Sequence, residues 1–195
     1  MPKPDIEKRS GIPAEIRADE TGVKVSGYAA VFNQEADIGG YFREVILPGA
    51  FRKALGSNDV PFLINHAGLP LARTRSGTLK LTEDSHGLKI ETELDASDPD
   101  VQRIVPKMKR GDLDKMSFAF RATVQRWDDT QDPPLRTVEE VELFDVSVVT
   151  DPAYDGTSIA LRSLDEARKE GRRQHNAAAF ARRKAEAEAR FRNII

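Results

Sequence analysis

The chain has 195 residues, 39% hydrophobic and 32% charged, which suits one soluble globular domain with an appendage. It has no cysteine, so disulfides, thiol catalysis and cysteine metal sites are excluded. A formal net charge of −2 gives no ground for nucleic-acid binding, and no apolar run reaches the length of a membrane span.

The net charge hides a split. Residues 161–195 sum to +5, so the preceding residues sum to −7, and an acidic body carries a basic tail.

The N-terminus, MPKPDIEKRSGIPAE, has no apolar stretch behind its charges and does not read as a secretory signal. Residues 1–20 hold three prolines and nine charges, which predicts a flexible arm. From Gly22 the pattern turns to strands. Val23, Val25, Gly27, Ala29 and Val31 alternate with mostly polar neighbours. A short helix is predicted from Pro48 through Phe51 to Leu55. Alternation returns at Leu79 and Leu81, and again at Leu88, Ile90 and Leu94. The turn 83–87 between them predicts a hairpin.

A second helix is expected after Asp98-Pro99, running to about Lys109, with Asp98 as N-cap and Val101, Ile104, Val105 and Met108 on one face. Pro106 is expected to kink or end it, and Gly111 closes the segment. Two longer strands follow, about 113–127 and 136–150, separated by a loop with Pro133-Pro134. Residues 164–193 are rich in Ala, Arg and Glu and favour helix. Phe180, Ala187 and Phe191 give that helix only a thin apolar stripe, so it reads as a solvated extension or a docking element.

The chain has no Walker loop, Gly-x-Gly-x-x-Gly, nucleophile elbow or paired-histidine zinc motif. Its three histidines are dispersed, a poor ligand set for a metal-dependent hydrolase, so neither metal nor cofactor is expected. His86 falls in the predicted hairpin turn and His175 in the tail, and both read as surface residues. His66 ends the apolar run Val60–Asn65, and alternation puts it on a face with Phe62 and Ile64. It reads either as a hydrogen-bonded core histidine or as a general base.

In Lys115–Phe120, Met116, Phe118 and Phe120 point one way and Ser117 the other, beside Ala119. Ser117 is either a solvated strand residue or a displayed nucleophile. Asp145 interrupts a strongly strand-forming run, as an exposed edge acid or as a buried carboxylate that accepts a histidine ring proton. Ser147 shares its face and is a rival nucleophile. A serine, a histidine and a carboxylate together supply a nucleophile, a base that takes and returns its proton, and a group that fixes the base's tautomer.

Four segments resemble the phage prohead proteases, the capsid-maturation serine proteases whose fold is similar to herpesvirus assemblin. They are Gly27–Asn33, Phe42–Phe51, Leu63–His66 with the later Met116–Phe120, and Phe144–Ala153. The resemblance implies a mainly β, α+β fold: a small, mostly antiparallel β-barrel with surrounding helices, followed by the helical tail. The expected domains are an arm over 1–20, a protease domain over 21–162 and a basic helical tail over 163–195. The resemblance picks Ser117 over Ser147 as nucleophile and matches His66 to the base. Asp145 stands in the place of the third member, which in the herpesvirus enzymes is a second His. The small residue after Ser-Phe, often Gly in the family, is Ala119 here.

The implied function is a serine endopeptidase inside the procapsid, in the host cytoplasm. It would cleave scaffold protein or the scaffolding segment of the major capsid protein, and also itself. Homo-oligomerisation would accord with assemblin-like enzymes. The competing reading is a non-catalytic internal scaffold with an assemblin-like body.

Overall fold

The computed structural model describes residues 6–18, 23–150 and 157–192. The chain divides into two compact units, Met1–Ile159 and Ala160–Ile195. The first contains ten strands: β1 (Glu7–Ala18), β2 (Val23–Val31), β3 (Ala36–Ile38), β4 (Phe42–Ile46), β5 (Pro61–Ile64), β6 (Ala67–Arg73), β7 (Leu79–Glu83), β8 (Gly87–Leu94), β9 (Lys115–Asp128) and β10 (Leu135–Val149). Its two helices are α1 (Arg52–Ser57) and α2 (Pro99–Arg110), and a third helix, α3 (Thr157–Arg192), runs into the second unit.

The strand order is β3-β4-β10-β9-β1-β2-β8-β7, with β5 also paired to β10 and β6 to β5. Most neighbours are antiparallel, but β10 runs parallel to both β4 and β5. The fold is thus a mixed, sheet-rich α+β arrangement. The pairings among the described residues do not join β3 to β7, the ends of this path.

The core follows the apolar periodicity. Val23 and Val25 of β2, Leu88, Ile90 and Leu94 of β8, and Met116, Phe118 and Phe120 of β9 are all buried. Phe118 meets Phe51 edge-on at 5.5 Å between ring centroids, and Phe51 stacks on Phe32 at 6.1 Å. This aromatic column lies behind the strand segment that carries Ser117. The α2 helix forms as its caps direct: the Asp98 carboxylate accepts the Asp100 amide at 2.8 Å, and Gly111 takes the left-handed conformation at φ 81°.

Three expectations need correction. The first helix starts at Arg52 rather than Pro48, because Gly49 at φ 97° cannot continue a right-handed turn. The Glu83 carboxylate holds that turn, accepting the Gly49 amide at 2.6 Å and the Phe51 amide at 3.0 Å. Of the two outcomes expected at Pro106, ending the helix does not occur: α2 continues to Arg110, close to the expected end at about Lys109, with Val101, Ile104 and Met108 buried along one face. Apolar burial on both sides of the proline offsets its missing amide.

The third correction concerns the N-terminal arm. Residues 7–18 form a strand, with 7–13 laddered to β9 and 14–18 to β2. Glu7 and Arg9, the side chains that suggested solvent, are 3% and 5% exposed. They join Glu44 of β4 and Arg136 of β10 in a buried four-charge cluster. Arg9 donates to Glu7 and Glu44 at 2.7 Å each, and Arg136 donates to Glu7 at 2.6 Å and Glu44 at 2.9 Å. Two cations and two anions, each multiply bonded, satisfy one another where a lone charge would not be tolerated.

In the second unit α3 is continuous through Gly171, and Phe180 on it is 72% exposed. The expected stripe residues Ala187 and Phe191 lie outside the described side chains. No helix among the described residues is long and apolar enough to cross a membrane.

Candidate active site

The site is assembled by β5, β9 and β10. On the β9–β10 ladder Ser117 lies directly opposite Ser147, and Phe118 opposite Val146. Alternation therefore sends Phe118 and Val146 to the core and both serines to the other face. Asp145 reaches that serine face through an irregularity: the register shifts between Leu143 and Asp145, leaving Phe144 as the extra residue. Bulges of this kind re-aim the side chains that follow them.

The strand β5 runs parallel to β10, Leu63 opposite Ser147, and turns back into β6 through Asn65 and His66. His66 was expected on a strand face with Phe62 and Ile64, but it occupies the second position of a tight two-residue turn. Asn65 and His66 both have positive φ, 48° and 58°, as the commonest two-residue hairpin turn requires. Each costs a non-glycine residue about 1–3 kcal/mol, which the surroundings must offset. Here the surroundings are β10. The Asn65 amide donates to the Val148 carbonyl at 3.0 Å, and Asn65 Oδ1 accepts the Thr150 amide at 3.1 Å. The His66 amide donates to Ser147 Oγ at 3.2 Å.

The turn swings the His66 ring between the other two candidates. His66 Nδ1 lies 2.7 Å from Asp145 Oδ1, and His66 Nε2 lies 2.7 Å from Ser117 Oγ. The same Asp145 oxygen accepts the Ser147 hydroxyl at 2.8 Å. The His66 side chain is 5% exposed and that of Asp145 12%. With Asp145 ionised, Nδ1 carries the proton and Nε2 is left as acceptor toward a serine hydroxyl, the tautomer a general base needs.

The structure thus brings His66, Ser117 and Asp145 together. Ser147 is close by, but its hydroxyl faces the Nδ1 side of the ring at 3.3 Å, away from Nε2. Among the two serines, the one within reach of Nε2 is Ser117. His86 is exposed and stacks edge-on against Tyr28, and His175 falls within α3. Among the described residues no group of three or more His, Asp or Glu is placed to hold a metal ion.

Two features escaped the sequence reading. Ser147 braces both the histidine turn and the carboxylate, a role that spacing alone does not signal. Ser117 read either as a solvated strand residue or as a displayed nucleophile, yet it is 1% exposed. Its hydroxyl donates to the backbone carbonyl of Arg9 on β1 at 2.8 Å.

Residues 13–170 match the family model described as the caudovirus prohead serine protease. Among solved structures, the capsid assembly protease of bacteriophage T4 is similar, with a TM-score of 0.45 and 10% identity, covering 74% of this chain and 99% of that one. No curated protein matches the chain.

Proposed function

The chain belongs to the caudovirus prohead serine protease family, and on that premise we propose that it is a serine endopeptidase of capsid maturation whose nucleophile is Ser117. The observation that carries the assignment is the alignment of Ser117 Oγ, the two His66 ring nitrogens and Asp145, with 2.7 Å at each step.

In this reading Ser117 Oγ attacks the scissile carbonyl carbon while His66 Nε2 takes its proton. The ring then becomes an imidazolium, and the Asp145 carboxylate stabilises it through Nδ1–H. His66 returns the proton to the leaving amine as the peptide C–N bond breaks, which leaves an acyl ester on Ser117. Water, deprotonated by His66, attacks the ester and frees the enzyme. The substrates are capsid or scaffold proteins: a scaffold protein, or the scaffolding segment of the major capsid protein, cut within the procapsid in the host cell. The chain itself is a further substrate.

The test is intact-mass spectrometry of particles assembled with the neighbouring capsid and scaffold genes, comparing wild type with Ser117→Ala. Discrete truncations confined to wild type are expected, and their masses locate the cuts. Identical full-length masses in both samples, with particles still assembling, would replace the protease reading with that of an internal scaffold.

A further inference from the structure

The Ser117 hydroxyl has one proton and two acceptors. His66 Nε2 lies at 2.7 Å and the Arg9 carbonyl oxygen at 2.8 Å. A proton given to Arg9 is not available to the base, so the β1 carbonyl and His66 compete for it. The same strand covers it, leaving Ser117 1% exposed.

The covering strand is built to be separable. Its two halves have different partners: residues 7–13 ladder with β9, and 14–18 with β2. The register shifts between Ser10 and Ile12, so the two halves meet close to a bulge. Each half has a single partner strand, so the first can leave without unpairing the second. The first half is an added strand on the edge of β9 that carries Ser117. The family match begins at residue 13, where the added half ends.

The charge cluster divides along the same line. Glu7 and Arg9 leave together as a neutral pair, and Glu44 and Arg136 remain bonded to each other at 2.9 Å. Withdrawal of the strand therefore strands no uncompensated charge in the interior.

We propose that the β9 edge from Lys115 to Phe120 is the binding site for an extended substrate peptide, and that residues 7–13 are its resident occupant. The occupant lies antiparallel to β9 and presents a main-chain carbonyl to Ser117, as a substrate strand must. Main-chain pairing on a sheet edge is a general way of holding an extended peptide. Substrate competes with the chain's own N-terminus for this edge, so the free enzyme is held back until the strand leaves. The inference rests on the assignment of Ser117 as nucleophile.

The test tethers the strand in the full chain. Lys8 and Ala119 are directly opposed in the ladder, within the span a disulfide bridges. The variant Lys8→Cys/Ala119→Cys is reacted with a fluorophosphonate that labels activated serines, and labelling of Ser117 is followed by mass. Oxidation is expected to form the cross-link and to slow labelling by about tenfold or more relative to the same protein reduced, in proportion to the lost open population. A second variant, Glu7→Gln/Arg9→Gln, loosens the occupant without cysteines and is expected to label faster than wild type.

Equal rates in the oxidised and reduced protein, failure of the cross-link to form, or a Gln variant no faster than wild type would overturn the inference alone. Absence of labelling in every form, with each folded by circular dichroism, would overturn the nucleophile assignment and the inference with it.

Discussion

Ser147 holds His66 from behind: its hydroxyl oxygen accepts the His66 amide at 3.2 Å while its proton goes to Asp145 at 2.8 Å. One side chain thus ties the backbone of His66, the proposed base, to the Asp145 carboxylate that meets its ring. Removing it leaves a part-buried amide unsatisfied in a turn that already has two positive-φ residues.

For Ser147→Ala we expect a fall in kcat with little change in KM, on the order of tenfold, as for loss of about 1.4 kcal/mol of transition-state positioning. Ser147→Thr, which restores the hydroxyl, should recover part of the loss. A purely structural role would instead lower the melting temperature and leave the kcat of the folded fraction intact. Steady-state kinetics beside thermal melts separate the two.

Substitutions along the hydrogen-bonded line should be graded. Ser117→Ala removes the attacking atom, and a loss on the order of 10⁶ in kcat is expected, as for other serine-protease nucleophiles. Asp145→Asn keeps the shape but favours the wrong His66 tautomer, and about 10⁴ is expected by analogy with other Ser-His-Asp enzymes. The double variant should be little worse than Ser117→Ala alone, because the residues act as a unit. Single-turnover cleavage of a scaffold-derived substrate checks all three, and additive losses would contradict a shared step.

The legible part of this chain is where one face is apolar. Met116, Phe118 and Phe120 announce β9 by alternation, and Asp98 and Gly111 announce both ends of α2. The illegible part is where polar groups face inward or the register slips. Glu7 and Arg9 read as solvated charges because their partners Glu44 and Arg136 are remote in sequence. Asn65 and His66 read as the end of a strand, since no glycine marks the turn. Alternation did put Asp145 and Ser147 on one face, but the bulge at Phe144 and the cover over Ser117 depend on β-pairing between distant segments. The candidate residues were therefore nameable from the sequence, whereas their burial and the occupant of the site were not.

Two glycines should respond oppositely to alanine. A Cβ on Gly87 would lie 1.9 Å from the Ala30 carbonyl oxygen, backbone against backbone, where β2 and β8 approach beside a register shift. The strands would have to part, so Gly87→Ala is expected to destabilise by about 3 kcal/mol, the upper range for overpacking. A Cβ on Gly171 of α3 meets nothing within 4 Å. There alanine should raise helix stability by about 1 kcal/mol. Urea unfolding followed by circular dichroism checks the first. The helical signal of the isolated change checks the second.

The buried charge cluster should set the acid limit of the fold. Burial acts to raise the Glu7 pKa, but the hydrogen bonds and charges of Arg136 and Arg9 outweigh it and hold the carboxyl below its ordinary value of 4.5. A depressed carboxyl pKa means that the unfolded chain binds the proton more readily. The resulting stability is fully present above the unfolded value of 4.5 and is lost as pH falls through the lower, folded value. Glu7→Gln mimics the protonated state at every pH and leaves Arg9, Arg136 and Glu44 with one unbalanced positive charge. The variant should therefore melt well below wild type at pH 7. As the pH falls below 4.5 the gap should narrow, because wild type loses the same charge. Melting curves of both proteins between pH 7 and pH 3 test this. A gap that stays constant to the acid end would show that Glu7 contributes by packing rather than by charge.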